Sequence, residues 1–125
     1  MQKIFLLFIL SFSSTVFAQT KTEWPEKENF HTVMAQTFHP MEDGNYLPIR
    51  ERSLELYEKA LAWQKSSVPA GFSKEKLKKK LKKLVEETKD LNEDIKGNCT
   101  DSEIKEDLTE LHDLFHTIVG LCKHD

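Results

Sequence analysis

Leu77, Leu81, Leu84, Thr88, Leu91 and Ile95 recur at intervals of three and four through the stretch Lys74–Lys96. That spacing gathers all six on one side of a helix, whereas a strand would send its residues alternately to two faces. The remaining positions of the stretch are mostly charged, so the apolar stripe needs other elements to cover it. A helix of this length is marginal in water until it is covered.

Three further helical stretches can do so. Pro25 suits a first turn, and Phe30, Val33, Met34 and Phe38 form one broad apolar face up to about His39. Pro40 is expected to stop that helix, with a turn at Asp43-Gly44-Asn45. Asn45 caps a second helix that tolerates Pro48 in its first turn; Leu47, Leu54, Tyr57 and Leu61, with Arg50, read as its inner side. It ends near Ser66, before the bend at Pro69 and Gly71. Ser73 is the expected cap of the third helix and Gly97 its exit. Thr100-Asp101-Ser102-Glu103 reads as a capping box opening the fourth, whose stripe is Leu108, Leu111, Phe115, Ile118 and Val119. No useful β-like alternation occurs. Four helices on short links imply an all-α, antiparallel up-down-up-down four-helix bundle.

The chain opens Met1-Gln2-Lys3, continues with an apolar run and leaves it through small and polar residues ending at Ala18. This is the pattern of a secretory signal peptide over residues 1–18, leaving 19–125 as one domain that is periplasmic or secreted. The run is too short for a comfortable membrane span, which takes about 20 residues, so no stable span is expected after cleavage. Residues 19–24 read as a leader, with Trp24 packing back on the bundle. The whole chain holds 18 basic and 21 acidic residues, a net charge of −3, which argues against a nucleic-acid binder despite the lysine run Lys74–Lys83. That run reads as a solvated helix face.

Two cysteines in an exported chain normally suggest a disulfide. Here Cys99 precedes the last helix and Cys122 ends it, which at helical rise separates them by about 30 Å. A disulfide needs Cα atoms within about 7 Å. A continuous helix therefore leaves both thiols reduced, paired between subunits or, for Cys122, available for another role.

Histidines provide the candidate site. His112 and His116 stand one helical turn apart at the edge of the fourth helix's buried face, and His31 and His39 lie on the first helix. Helical rise places all four in the same half of an antiparallel bundle. Imidazole suits zinc, copper or nickel, and two rings from each helix complete a four-ligand shell, with Glu42 or Asp43 as oxygen substitutes. Asp113 or Glu110 would orient rings from behind. The bland reading makes these core-edge or surface histidines and Met34 a core filler. The pair is also a weaker signal than HExxH, which is absent.

The stretch His31–Pro40, the following Glu42-Asp43-Gly44 and Pro48-Ile49-Arg50, and Leu111-His112-x-x-Phe115-His116 are similar to uncharacterised exported helical-bundle proteins of bacteria. Architecturally these resemble the cytochrome c-prime and cytochrome b562 group. Covalent haem attachment there needs Cys-x-x-Cys-His, and this chain offers only Cys122-Lys123-His124. The resemblance to the b562 pattern implies Met34 with His112 or His116 as axial ligands of a non-covalent haem, a lesser reading that requires a wide apolar slot.

The leading expectation is therefore an exported metal-binding protein, holding a transition-metal ion with His31, His39, His112 and His116 for metal handling or sensing. The rival is a structural or protein-interaction bundle that needs no metal and docks a protein partner by an exposed apolar strip near Trp24, Trp63 and Phe72. Catalysis is the weakest class, since no nucleophile arrangement stands out.

Overall fold

The structure is a computed structural model that describes residues 23–122, so the expected signal peptide and His124 lie outside the described residues. The described chain is four helices in order: α1 (Pro25–Glu42), α2 (Leu47–Lys65), α3 (Lys74–Lys96) and α4 (Asp101–Leu121). Each packs on its neighbour in sequence, and α1 closes the bundle against α4 across its loosest seam. The all-α four-helix bundle is thus the fold. No helix among the described residues is long and apolar enough to cross a membrane.

Local chemistry sets most of the boundaries. Pro25 opens α1 where a missing N–H costs nothing. The N-cap of α2 is Tyr46 rather than the expected Asn45, whose Oδ1 accepts from the Leu47 N–H at 3.2 Å from one residue further back. The capping box at α4 is complete: Glu103 N–H donates to Thr100 Oγ1 at 3.2 Å, and Thr100 N–H to Glu103 Oε2 at 2.8 Å.

Other local expectations need correction. Pro40 does not stop α1, which continues to Glu42. Placed in the last turn, the proline removes one hydrogen bond, and the extra residues seat Met41 in the core at 2% exposure. Ser73 stands at the N-cap of α3, yet its hydroxyl makes no capping bond. At the other end Gly97 is the exit residue of α3, as expected, and the left-handed residue that follows it is Asn98, at φ 60°. Asparagine tolerates that conformation, and the Cys99 N–H closes the turn on Asp94 O at 3.0 Å.

The expected stripes of α1, α3 and α4 are the core, apart from a half-buried Val119. α2 is rotated from its expected setting. Its buried residues are Ile49, Ser53, Leu56, Ala60 and Trp63, while Leu47 is 59% and Leu54 47% exposed. Tyr57 and Leu61 are half-buried.

Trp63 decides the matter. Its ring meets those of Trp24, Phe30 and Phe115 with centroids 5.6–6.0 Å apart, a cluster that fills the end of the bundle where α1 starts and α4 finishes. Its Nε1–H is buried with no acceptor, a cost of about 1–3 kcal/mol that the aromatic packing must outweigh. Ser53 then faces α3 and donates to Asn92 Oδ1 at 2.9 Å, a buried polar pair joining the two helices. Arg50, also assigned inward, instead latches the start of α2 to the α3–α4 turn. Its Nη2 donates to Cys99 O at 2.9 Å and to Asp101 Oδ1 at 2.7 Å.

This rotation gives opposite outcomes for two leucines two positions apart. Leu56→Ala is expected to cost about 2–5 kcal/mol, the range for emptying a closed core site. Leu54→Lys should stay within about 0.5 kcal/mol of the parent, as exposed substitutions do. Urea denaturation in dilute solution measures both, and equal losses would contradict the observed phase of α2.

Candidate functional site

Building upward from the histidines, α1 and α4 do bring their rings to one seam, but the rings face carbon. His112 lies flat on Phe38 of α1, with centroids 3.9 Å apart and planes 6° from parallel. His31 reciprocates by stacking on Phe115 of α4 at 5.0 Å. Each helix thus covers a phenylalanine of the other with an imidazole, whose flat faces are apolar and whose edge nitrogens reach water.

The nitrogens pair locally. His116 and His112 approach Nε2 to Nε2 at 3.2 Å, so one ring donates an N–H and the other accepts. His39 Nδ1 lies 3.1 Å from Glu42 Oε1 on its own helix and is well exposed. His31 Nδ1 reaches only a loose 4.0 Å contact with Glu28.

This geometry overturns the metal reading. Among the described residues no group of three or more histidine, cysteine, aspartate or glutamate side chains could hold a metal ion. The expected ion between His31, His39, His112 and His116, whether zinc, copper or nickel, is therefore withdrawn. With it go the histidine-cluster description, the metal ion as partner, and a function in metal handling or sensing. The physical reason is the stacking: rings laid flat on Phe38 and Phe115 do not converge their nitrogens on one point. Met34 is fully buried as a core filler.

Burial against the seam is the largest effect lowering the His112 pKa, and His116 and His39 add to it. Asp113 on α4 and Glu42 on α1 oppose it. Cys99 and Cys122 are free and half-buried, and burial raises both thiol pKa values, which makes them poor nucleophiles.

The opposite seam is electrostatic. Glu87, Asp90, Asp94, Asp107 and Glu110 line a shallow cleft between α3 and α4. Burial, followed by the nearby Asp94 and Glu110 carboxylates, raises the pKa of Asp107. The other half of α3 is basic, with seven lysines in Lys74–Lys83. They stand at the positive end of the helix dipole, the unfavourable end for cations.

The apolar strip expected near Trp24, Trp63 and Phe72 is not a surface. Trp24 and Trp63 are buried, Phe72 stacks on Trp24 at 5.9 Å, and Trp24 Nε1–H donates to Ser66 Oγ at 2.8 Å. Among the described residues the exposed large apolar side chains are Leu47 and Leu54, which the sequence places inside. α2 carries a second apolar series, Ile49, Leu56, Ala60 and Trp63, and the tryptophan was the available signal for choosing between them. No protein family, curated protein or solved structure matches the chain.

Two pH effects follow. A histidine with a lowered folded-state pKa binds its proton later than in the unfolded chain. Its contribution to stability is therefore complete above the ordinary imidazole range and declines as pH falls through that range to the lowered value. His112→Phe, which keeps a stacked ring, should lose less stability than the parent between pH 7 and pH 5. For Asp107 the sign reverses, because a raised carboxylate pKa penalises the folded state at neutral pH. Asp107→Asn should raise the melting temperature at pH 7, with the gain shrinking as acid protonates the parent's Asp107. Thermal melts across pH check both.

Proposed function

We propose that this chain is an exported protein-interaction bundle that needs no metal, periplasmic or secreted after removal of residues 1–18. The reading of export rests on the signal-peptide pattern ending at Ala18. The reading of interaction rests on one observation: Leu47 and Leu54 are exposed on a side of α2 that contributes nothing to the core. Two isolated leucines would be unremarkable, but with half-buried Tyr57 and Leu61 they form one continuous line along the helix. The likeness to the cytochrome c-prime and b562 group enters this reading only as a shared bundle arrangement.

The test is a photo-reactive side chain at position 54 in cells that make the protein, with position 110 on the acidic surface as control. A discrete adduct from position 54 and none from position 110 is the expected outcome. Equal labelling at both positions, or none at 54, would overturn the interaction reading.

A further inference from the structure

The outward line of α2 runs Leu47, Arg50, Leu54, Tyr57, Leu61, with steps of three, four, three and four residues. That is the a/d spacing of a coiled-coil seam, sustained for about two heptads. Arg50 does not spoil it, because its guanidinium is turned onto Cys99 O and Asp101. Its aliphatic stem remains in the line.

Charge borders this line on both sides, with opposite signs. On one side lies α3. Lys78, Lys82, Val85, Lys89, Asn92 and Lys96 share one line of that helix, at steps of three and four. Asn92 bonds to Ser53, so this is the line of α3 that borders α2. Its lysines are exposed, and the contacts of Lys82 with Glu86 and Lys89 with Glu93 are loose, at 4.0 Å. On the far side of the α2 line stand Glu51 and Glu58, both exposed and seven residues apart.

The heights of these charges agree. α2 and α3 run in opposite directions, and the Ser53–Asn92 bond gives a common level. At helical rise Glu51 lies about 3 Å from that level and Lys96 about 6 Å, in the same direction. In the other direction Lys89 lies about 4.5 Å away and Glu58 about 7.5 Å. Each glutamate is therefore within about one helical turn of a lysine on the opposite border, with the same offset both times.

We infer that α2 is the seam of a homodimer, in which a second copy docks its own Leu47, Leu54, Tyr57 and Leu61 on these residues about a two-fold axis parallel to the helices. Such an axis preserves height and exchanges the two borders, so Glu51 and Glu58 of each copy meet Lys96 and Lys89 of the other. An axis across the helices would instead place lysines on lysines and glutamates on glutamates. Charge thus selects the parallel arrangement, as edge charges do in coiled coils. The inference rests on the interaction reading above and names its partner.

Sedimentation equilibrium of the purified chain tests it. A reversible monomer–dimer equilibrium in the micromolar range is expected, consistent with a small seam. Leu54→Glu, with its helical circular dichroism unchanged, should weaken the dimer by about tenfold or more, the equivalent of about 1.4 kcal/mol. Glu58→Lys should weaken it and the added change Lys89→Glu should restore it. In a background of Cys99→Ser and Cys122→Ser, both Leu47→Cys and Leu61→Cys should cross-link to themselves, which only the parallel arrangement allows at both ends. A chain that stays monomeric to several hundred micromolar, a dimer indifferent to Leu54→Glu, or no self-cross-linking at positions 47 and 61 would overturn the homodimer. A monomeric chain that still gives a position-54 adduct to a different protein would remove the homodimer and leave the interaction reading standing.

Discussion

The placement of one indole ring governs this bundle. Trp63 is fully buried among Trp24, Phe30 and Phe115, so α2 must turn that edge inward along its whole length. Burying a tryptophan removes more apolar surface than any leucine can, at about 25 cal/mol per Å². Once that edge is inward, Ser53 faces α3 and finds Asn92, and Arg50 reaches the α3–α4 turn. Leu47 and Leu54 then have nowhere to go but outward. The external line of α2 is a consequence of core packing at the far end of the same helix.

The histidines follow a similar logic of cover rather than coordination. The α1–α4 seam is the loosest of the four, and two phenylalanines reach it. His31 and His112 lie across the opposing ring, shielding Phe115 and Phe38 while keeping ring nitrogens near solvent. That arrangement couples the seam to acidity, because charging His112 works against both its burial and its neighbour His116. His31 and His112 thus have a packing explanation that uses the flat faces of their rings, while His39 stands exposed beside Glu42 and His116 meets His112 edge-on.

Most of the fold was legible because three helices advertise a single apolar face each. In α3 every expected position, from Leu77 to Ile95, is buried. The capping box at Thr100 and Glu103 was equally direct, since side chain and backbone satisfy each other within four residues. α2 was misread because it carries two apolar series, and periodicity weighs leucines without weighing ring size. Pro40 was misread because its penalty is local, whereas the gain from burying Met41 depends on other helices. For the candidate site, the sequence indicated that α1 and α4 histidines share a seam. It did not reveal whether the rings meet edge-on through nitrogen or flat against phenylalanine, a choice made by side-chain rotation.

Cys99 and Cys122 flank the two ends of α4, which spans about 30 Å. A covalent link between them and an intact α4 are mutually exclusive, because the link would draw together ends that the helix holds far apart. Oxidation of the unfolded chain would therefore create a trap, a closed loop that cannot pass to the native bundle until a thiol reopens it. Wherever the unfolded chain meets an oxidant, early formation of α4 protects the route to the folded state as well as the state itself.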